Sequence, residues 1–203
     1  MGLGRIEQDQ NRRIYLSFYN GKVERSENGT KEYFSFVEGY LHSIYSKIRN
    51  YGGEDVLKWF IELKDESGDL YTISFPYSSG TFKSIILSLA SETKLTDKTI
   101  LRIEPYKKDN FTNVTVWADG IKLDWISKDL PPVTTVKLGE KEIRDDTKRM
   151  EYIRLLTETI NGRISSVTGK REDPENSNTS NMSNISNTSN ISNMSNNNNT
   201  IKR

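Results

Sequence analysis

Apolar and polar residues alternate through much of residues 12 to 125, and a period of two predicts strands. RRIYLSFYNGKVERS, residues 12–26, reads as a hairpin whose apolar-rich arms flank Asn20-Gly21, the strongest short turn signal. Asn28-Gly29 marks a second turn. From Tyr33, YFSFVEGYLHSIYSKIRNY predicts one unusually long strand with Gly39 in its interior. A glycine there marks a bulge, or a bend where a strand rounds a barrel corner. Gly52-Gly53 ends the strand; LKWFIELKD and LYTISFPY follow, joined at Ser67-Gly68, until Pro76 and Ser78-Ser79-Gly80 stop the pairing.

The period then changes. From about Thr81 to Ala90, Phe82, Ile85, Ile86 and Leu89 recur at helical spacing, and Ser79 or Thr81 can accept the first free amide hydrogens. TILRIEPY, 99–106, is a further strand, KKDNF a basic loop, and NVTVWADGIKLDW a closing hairpin turned at Asp119-Gly120. A long bent strand, two strands, a helix and two strands make the order of the OB-fold, a five-stranded Greek-key barrel with its helix between strands 3 and 4. The competing reading is a small β-sandwich, which has no reason to place a helix there. Residues 12–127 form this domain with its extra N-terminal hairpin. Residues 128–162 are an extended connector carrying Pro131-Pro132 and then a helix from Thr147 to Asn161. Asp145 and Asp146 favour its start, Gly162 ends it, and its stripe of Met150, Ile153, Leu156 and Ile160 is expected to pack back on the barrel. Residues 1–11 are read as flexible.

Composition changes the picture at one end. Only 33% of the 203 residues are hydrophobic, and the deficit is concentrated after residue 162. From Asn176 to Thr200 there is no charge and no aromatic, only a Ser-Asn-x repeat and a run of Asn. Such a stretch cannot bury enough surface to offset chain entropy, so 163–203 is expected to be disordered. Net charge is +1, which argues against a polybasic binder and leaves room for a local basic face. Absence of Cys excludes disulfides and thiolate metal sites and suits a reducing compartment. No apolar run reaches membrane-spanning length, and neither a signal-peptide core nor a myristoylation pattern opens the chain. The expectation is a soluble, intracellular protein.

Catalytic chemistry has little to build on. The single His, His42, falls mid-strand without an orienting partner. There is no HExxH, phosphate loop or Asp/Glu cluster with ligand spacing, so no catalytic residue, metal site or cofactor is assigned. What remains is the wet face of the predicted barrel. Leu57, Trp59, Ile61 and Leu63 alternate inward, which turns Lys58, Phe60, Glu62 and Lys64 outward. Tyr45, Lys47, Arg49 and Tyr51 lie on the first barrel strand, Arg102, Tyr106, Lys107 and Lys108 on and after the fourth, and Trp117 on the fifth; Tyr77 is at the strand-to-helix turn. Each ring alone reads as a packing residue. Together, interleaved with cations, they fit a single-stranded nucleic acid, whose bases stack on rings at about 1–3 kcal/mol each while Lys and Arg follow the phosphates. That reading requires Phe60, Tyr77, Arg102, Tyr106 and Trp117 to lie on one exposed side.

The succession IYLSFYNGKVER, FVEGYLHSI, LKWFIEL, FPYSSG before a helix, and DLPPVTTVKLGEKEIRDD before a terminal helix resembles single-stranded DNA-binding proteins of tailed bacteriophages, including those of crAss-like phages of gut bacteria. The likeness covers roughly residues 12 to 160. It implies an OB-fold, no catalysis, largely sequence-independent binding of single-stranded DNA, and a role in phage DNA replication or recombination in the host cytoplasm. Phage replication proteins and further copies of the chain, assembling on DNA, are the implied partners. Lys22, in the NGK turn, and Tyr77, in FPYSSG, are the residues it carries over. Many such proteins end in an acidic tip that recruits replication enzymes; here only Glu172, Asp173 and Glu175 form a weak acidic cluster before a neutral tail. The alternative is a protein-interaction or virion module, since OB barrels also bind peptides.

Overall fold

The computed structural model describes residues 12–126, 130–139 and 141–167. The expectation of a flexible 1–11 lies outside them, as does that of a disordered tail over 168–203; the first five residues assigned to that tail, 163–167, are described and are helical instead. The chain divides into two units, Met1–Lys170 and Arg171–Arg203, and every described residue belongs to the first.

Strands dominate: β1 (Arg13–Tyr19), β2 (Lys22–Glu27), β3 (Thr30–Phe34), β4 (Val37–Tyr51), β5 (Glu54–Lys64), β6 (Leu70–Pro76), β7 (Ile100–Lys108), β8 (Phe111–Ala118), β9 (Ile121–Lys122), β10 (Thr134–Leu138) and β11 (Lys141–Asp145). Helix α1 (Gly80–Ser91) lies between β6 and β7, and α2 (Thr147–Val167) comes last. Three turns are made by the dipeptides that favour them. Asn20-Gly21, Asn28-Gly29 and Asp119-Gly120 all have positive φ at both residues, the two-residue turn whose twist matches that of the flanking strands.

Nine strands form one sheet in the order β3-β2-β1-β6-β5-β4-β7-β8-β9, and β10-β11 form a separate ribbon. The five strands expected in the barrel are present, in the order β6-β5-β4-β7-β8. The closed barrel is not. The free edge of β6 takes β1 in parallel, Arg13 opposite Leu70 through Leu16 opposite Ile73, and the free edge of β8 takes β9. The N-terminal segment thus occupies the edge through which closure would run. It is a three-stranded meander rather than a hairpin, because the expected long strand breaks at Ser35-Phe36 into β3 and β4. Its first turn returns against β7–β8: Gly21 N donates to Thr112 Oγ1 at 3.3 Å, and a Cβ on Gly21 would meet Lys107 N at 2.3 Å.

Gly39 plays the part expected of it. A Cβ there would lie 2.9 Å from Lys64 O, so only glycine lets β4 run this close to β5. A bulge follows between Leu41 and Ser43, with exposed His42 as the extra residue. Pairing with β7 stops at Tyr40, so the edge of β4 beyond the bulge has no strand partner there, and at Ile44 Asn161 of α2 supplies one. Its amide oxygen accepts from Ile44 N at 3.1 Å and its amide nitrogen donates to Ile44 O at 2.7 Å. Asn161→Ala leaves both backbone groups unpaired; we expect a loss of about 1–3 kcal/mol in urea unfolding.

The core runs from Ile14 and Leu16 through Ile61, Leu63 and Ile73 to α1 and the stripe of α2. Met150, Ile153 and Ile160 pack back as expected, joined by Ile164. Helix α1 is buried on more than the one predicted stripe, Ser84, Leu87 and Ser88 included, because α2 and β8 cover the sides that the sheet does not. Nor does α2 end at Gly162. Arg163 donates to Ala90 O at 3.3 Å and Glu92 O at 2.9 Å, at the C-terminus of α1, and with Ile164 buried these contacts offset the roughly 1 kcal/mol cost of an internal glycine. In place of an extended connector, β10 and β11 pair with Val136 opposite Ile143 around Gly139 at φ 63°.

Candidate nucleic-acid interface

β7 pairs with β4 only over Val37–Tyr40, and β6 pairs with β5 only over Lys58–Lys64. The remainder of β4 and β5, from Lys47 to Leu57, therefore projects past its neighbours as a two-stranded arm, rooted at Lys58. Five pairs along it, from Lys47 with Lys58 at its root out to Tyr51 with Glu54, precede the turn. Asn50 fastens the tip, its side chain donating to Asp55 Oδ1 at 2.9 Å and accepting from Gly53 N at 3.1 Å.

Alternation places Tyr45, Lys47, Arg49 and Tyr51 on one face of the arm and its root. Lys58 and Phe60 join them as the direct partners of Lys47 and Tyr45. Six of the residues proposed from sequence are thus brought together. Their contacts are with one another: the Tyr45 and Phe60 rings stack at 5.2 Å and 18°, the Arg49 guanidinium lies 5.5 Å from the Phe60 ring, and Lys58 Nζ lies 4.4 Å from the Tyr51 ring. Cations over ring faces are held electrostatically and keep their N–H groups directed to water. Among the described residues, Arg12, Arg13, Arg25, Lys31, Lys83, Arg102, Lys137 and Arg154 make ion pairs. Lys47, Arg49 and Lys58 have no carboxylate partner among them.

Phe60 itself is corrected. At 3% exposure it is covered by Tyr45 and Arg49 and presents no stacking surface. It is a cross-strand foundation for the rings and cations above it, and Phe60→Ala reads out stability rather than stacking. Glu62, expected outward in water, is buried at the root of the same face. It accepts from Ser43 Oγ at 2.8 Å, Tyr45 OH at 3.0 Å and Thr72 Oγ1 at 3.4 Å, and pairs with Arg13 at 3.1 Å. Burial first, and then Glu62, raises the pKa of the Tyr45 phenol, so the hydroxyl stays a donor and the ring stays fixed.

The other residues fall elsewhere. Tyr106 and Lys108 lie at the β7–β8 end with Lys107, whose backbone meets Gly21; Lys22 follows Gly21, so the backbones of these four come together at a seam where the first turn meets β7, although alternation turns Lys107 to the face opposite Tyr106 and Lys108. Arg102 is taken up by Glu38 at 3.0 Å and by the Phe36 ring at 3.7 Å. Trp117, its cross-strand partner, is half-buried with Nε1 enclosed and unpartnered. Tyr77 stacks at 5.8 Å and 8° on Trp59, which belongs to the core and points to the opposite face from Phe60. Phe60, Tyr77, Arg102, Tyr106 and Trp117 therefore do not share one exposed side. The expected single platform is replaced by the arm and the seam, and Tyr77, Arg102 and Trp117 belong to neither.

Sequence reasoning passed over Arg13 and Tyr15, which alternate with buried Ile14 and Leu16. That alternation was the signal that could have found them. Among the described residues no group of three His, Asp or Glu could hold a metal ion, and no helix is long and apolar enough to cross a membrane. Compared with protein-family profiles, curated proteins and solved structures, the chain matches none.

Proposed function

We propose that this protein binds single-stranded nucleic acid through the outward face of the β4–β5 arm. The observation that carries the reading is the arrangement of Lys47, Arg49 and Lys58: three cations without carboxylate partners, interleaved with Tyr45 and Tyr51 on a projecting ribbon. Lys47 and Lys58 are direct cross-strand partners, and like charges directly opposite repel, so the face suits a ligand that brings negative charge; aromatic rings beside them suit one with flat faces and a charged backbone. In this reading β4–β8 and α1 are an OB-fold core, supported by the strand order, the bulged β4 and the helix between β6 and β7, with its barrel held open by the N-terminal meander. The resemblance to phage proteins favours DNA and a coating, protective, non-enzymatic role in phage replication or recombination, in the host cytoplasm.

A second reading, a protein-interaction module, draws on the opposite face of the arm, where Ile48 and Leu57 are cross-strand partners and both exposed. One titration separates the two. A fluorescent single-stranded oligonucleotide is added at low and high salt, with duplex as control. We expect micromolar or tighter binding to the single strand that weakens steeply with salt. No binding at low salt removes the nucleic-acid reading and leaves the second.

A further inference from the structure

The meander on the edge of β6 has two unlike faces. One bears Val23 in the core and, beyond it, Arg25 ion-paired with Glu27 and Glu32. The other bears Tyr15 and Tyr19 on β1 and Tyr33 on β3, exposed by 57%, 61% and 46%. Ladder partners fix which face this is. Tyr15 is opposite Thr72, Thr72 is opposite Glu62, and Glu62 is opposite Ser43, two residues from Tyr45. The Arg13–Glu62 ion pair and the Thr72–Glu62 hydrogen bond bridge the same strands on the same side. The three tyrosines thus continue the face of the arm across β6.

The ground between the two halves is polar, with the Arg13 side chain reaching across β6 to Glu62 over buried Thr72. On β6 that face carries Thr72 and Ser74, opposite Glu62 and Phe60. Charge follows the rings: Lys22 is opposite Tyr19 and has no ion-pair partner among the described residues, and Lys31 lies 5.9 Å from the Tyr19 ring. The face's one acid in the meander, Glu24, is neutralised by Lys31 at 3.2 Å. From β3 to β4 the continuous face crosses six strands, about 24 Å at the usual inter-strand spacing. Three exposed rings at intervals, without a shared hydrophobic cluster, suit separate flat groups rather than a single apolar surface.

We propose that the meander is the second half of the binding surface: a single strand engaged on the arm continues over Ser74 and the Arg13 side chain and stacks its bases on Tyr15, Tyr19 and Tyr33. This rests on the nucleic-acid reading above and adds that the N-terminal strands, which replace barrel closure, lengthen the site.

The test compares oligodeoxythymidylates of about 6 and about 20 nucleotides, one near the short end of the usual range for one such domain and one beyond its long end. The probes are bound to wild type, to the triple variant Tyr15→Ala, Tyr19→Ala, Tyr33→Ala, and to the corresponding triple Phe variant. The expected result is that the triple Ala variant loses at least about tenfold in affinity for the long probe, the loss from one or two stacks. It keeps wild-type affinity for the short probe, and the triple Phe variant, which retains every ring, matches wild type on both. Wild-type affinity of the triple Ala variant on the long probe overturns the extension while leaving the arm in place. Equal loss on both probes overturns the division into primary arm and extension. Wild type binding neither probe removes the underlying function and this inference together. Circular dichroism melts check folding; if the triple Ala variant melts below the assay temperature, single Tyr15→Ala and Tyr19→Ala carry the same comparison.

Discussion

Gly21→Val is expected to destabilise the protein by about 3 kcal/mol or more and to release the first turn from β7–β8. Two independent penalties add. At φ +76° a β-branched side chain is in the left-handed region, which costs about 1–2 kcal/mol for L-residues. The new Cβ would also lie 2.3 Å from Lys107 N and 2.7 Å from Tyr106 C. Both are backbone atoms, so relief requires moving a strand rather than turning a side chain, at a further 1–3 kcal/mol or so. The Gly21 N–H bond to Thr112 Oγ1 is lost with the contact, beside the Thr81 Oγ1 bond to Thr112 O that ties the same strand to α1. Gly29→Val supplies the control. Its φ is +80°, but nothing lies within 4 Å of the added Cβ, so it pays only the conformational penalty. Urea unfolding of the two variants measures the seam by difference. Equal losses would mean that the turn does not seat on β7.

Local signals were legible along the chain, and long-range ones were not. Asn20-Gly21 and Asp119-Gly120 act through their own dihedral preferences, so their turns could be placed without knowing the fold. Gly39 was legible as a bend for the same reason, although the close approach of Lys64 O behind it was not. The parallel pairing of β1 with β6 joins segments more than fifty residues apart, and nothing local in RIYLSFY encodes its partner. That pairing opened the expected barrel. The division of faces followed the period-two pattern along β5, yet alternation says which way a side chain points and not what lands on it. Phe60 and Glu62 point outward as read; Tyr45, Arg49 and Arg13, arriving from β4 and β1, cover them. The sequence assigns Arg102 and Trp117 to strands but not to a place relative to the arm. The short overlap of β7 with β4, ending at Tyr40, is what parts them from it.

Neutralising the arm should change binding more than any other substitution. We expect the triple variant Lys47→Gln, Arg49→Gln, Lys58→Gln to fold normally, since none of the three makes an ion pair among the described residues and the Gln stem still covers part of Phe60. Each cation that meets a phosphate contributes about 0.7 to the salt slope on a single strand, so the slope of log Kobs against log salt should become shallower by about 2. Extrapolated over the one decade between 0.1 M and 1 M salt, that is roughly a hundredfold loss of affinity at 0.1 M. Tyr51→Ala separates the two contributions: it removes an exposed ring and should lower affinity at every salt concentration by a similar factor, leaving the slope unchanged. Lys141→Gln, an exposed cation on the separate β10–β11 ribbon, should change neither. A triple variant with the wild-type slope would show that phosphates do not pass over the arm, and the function proposed from it would fall.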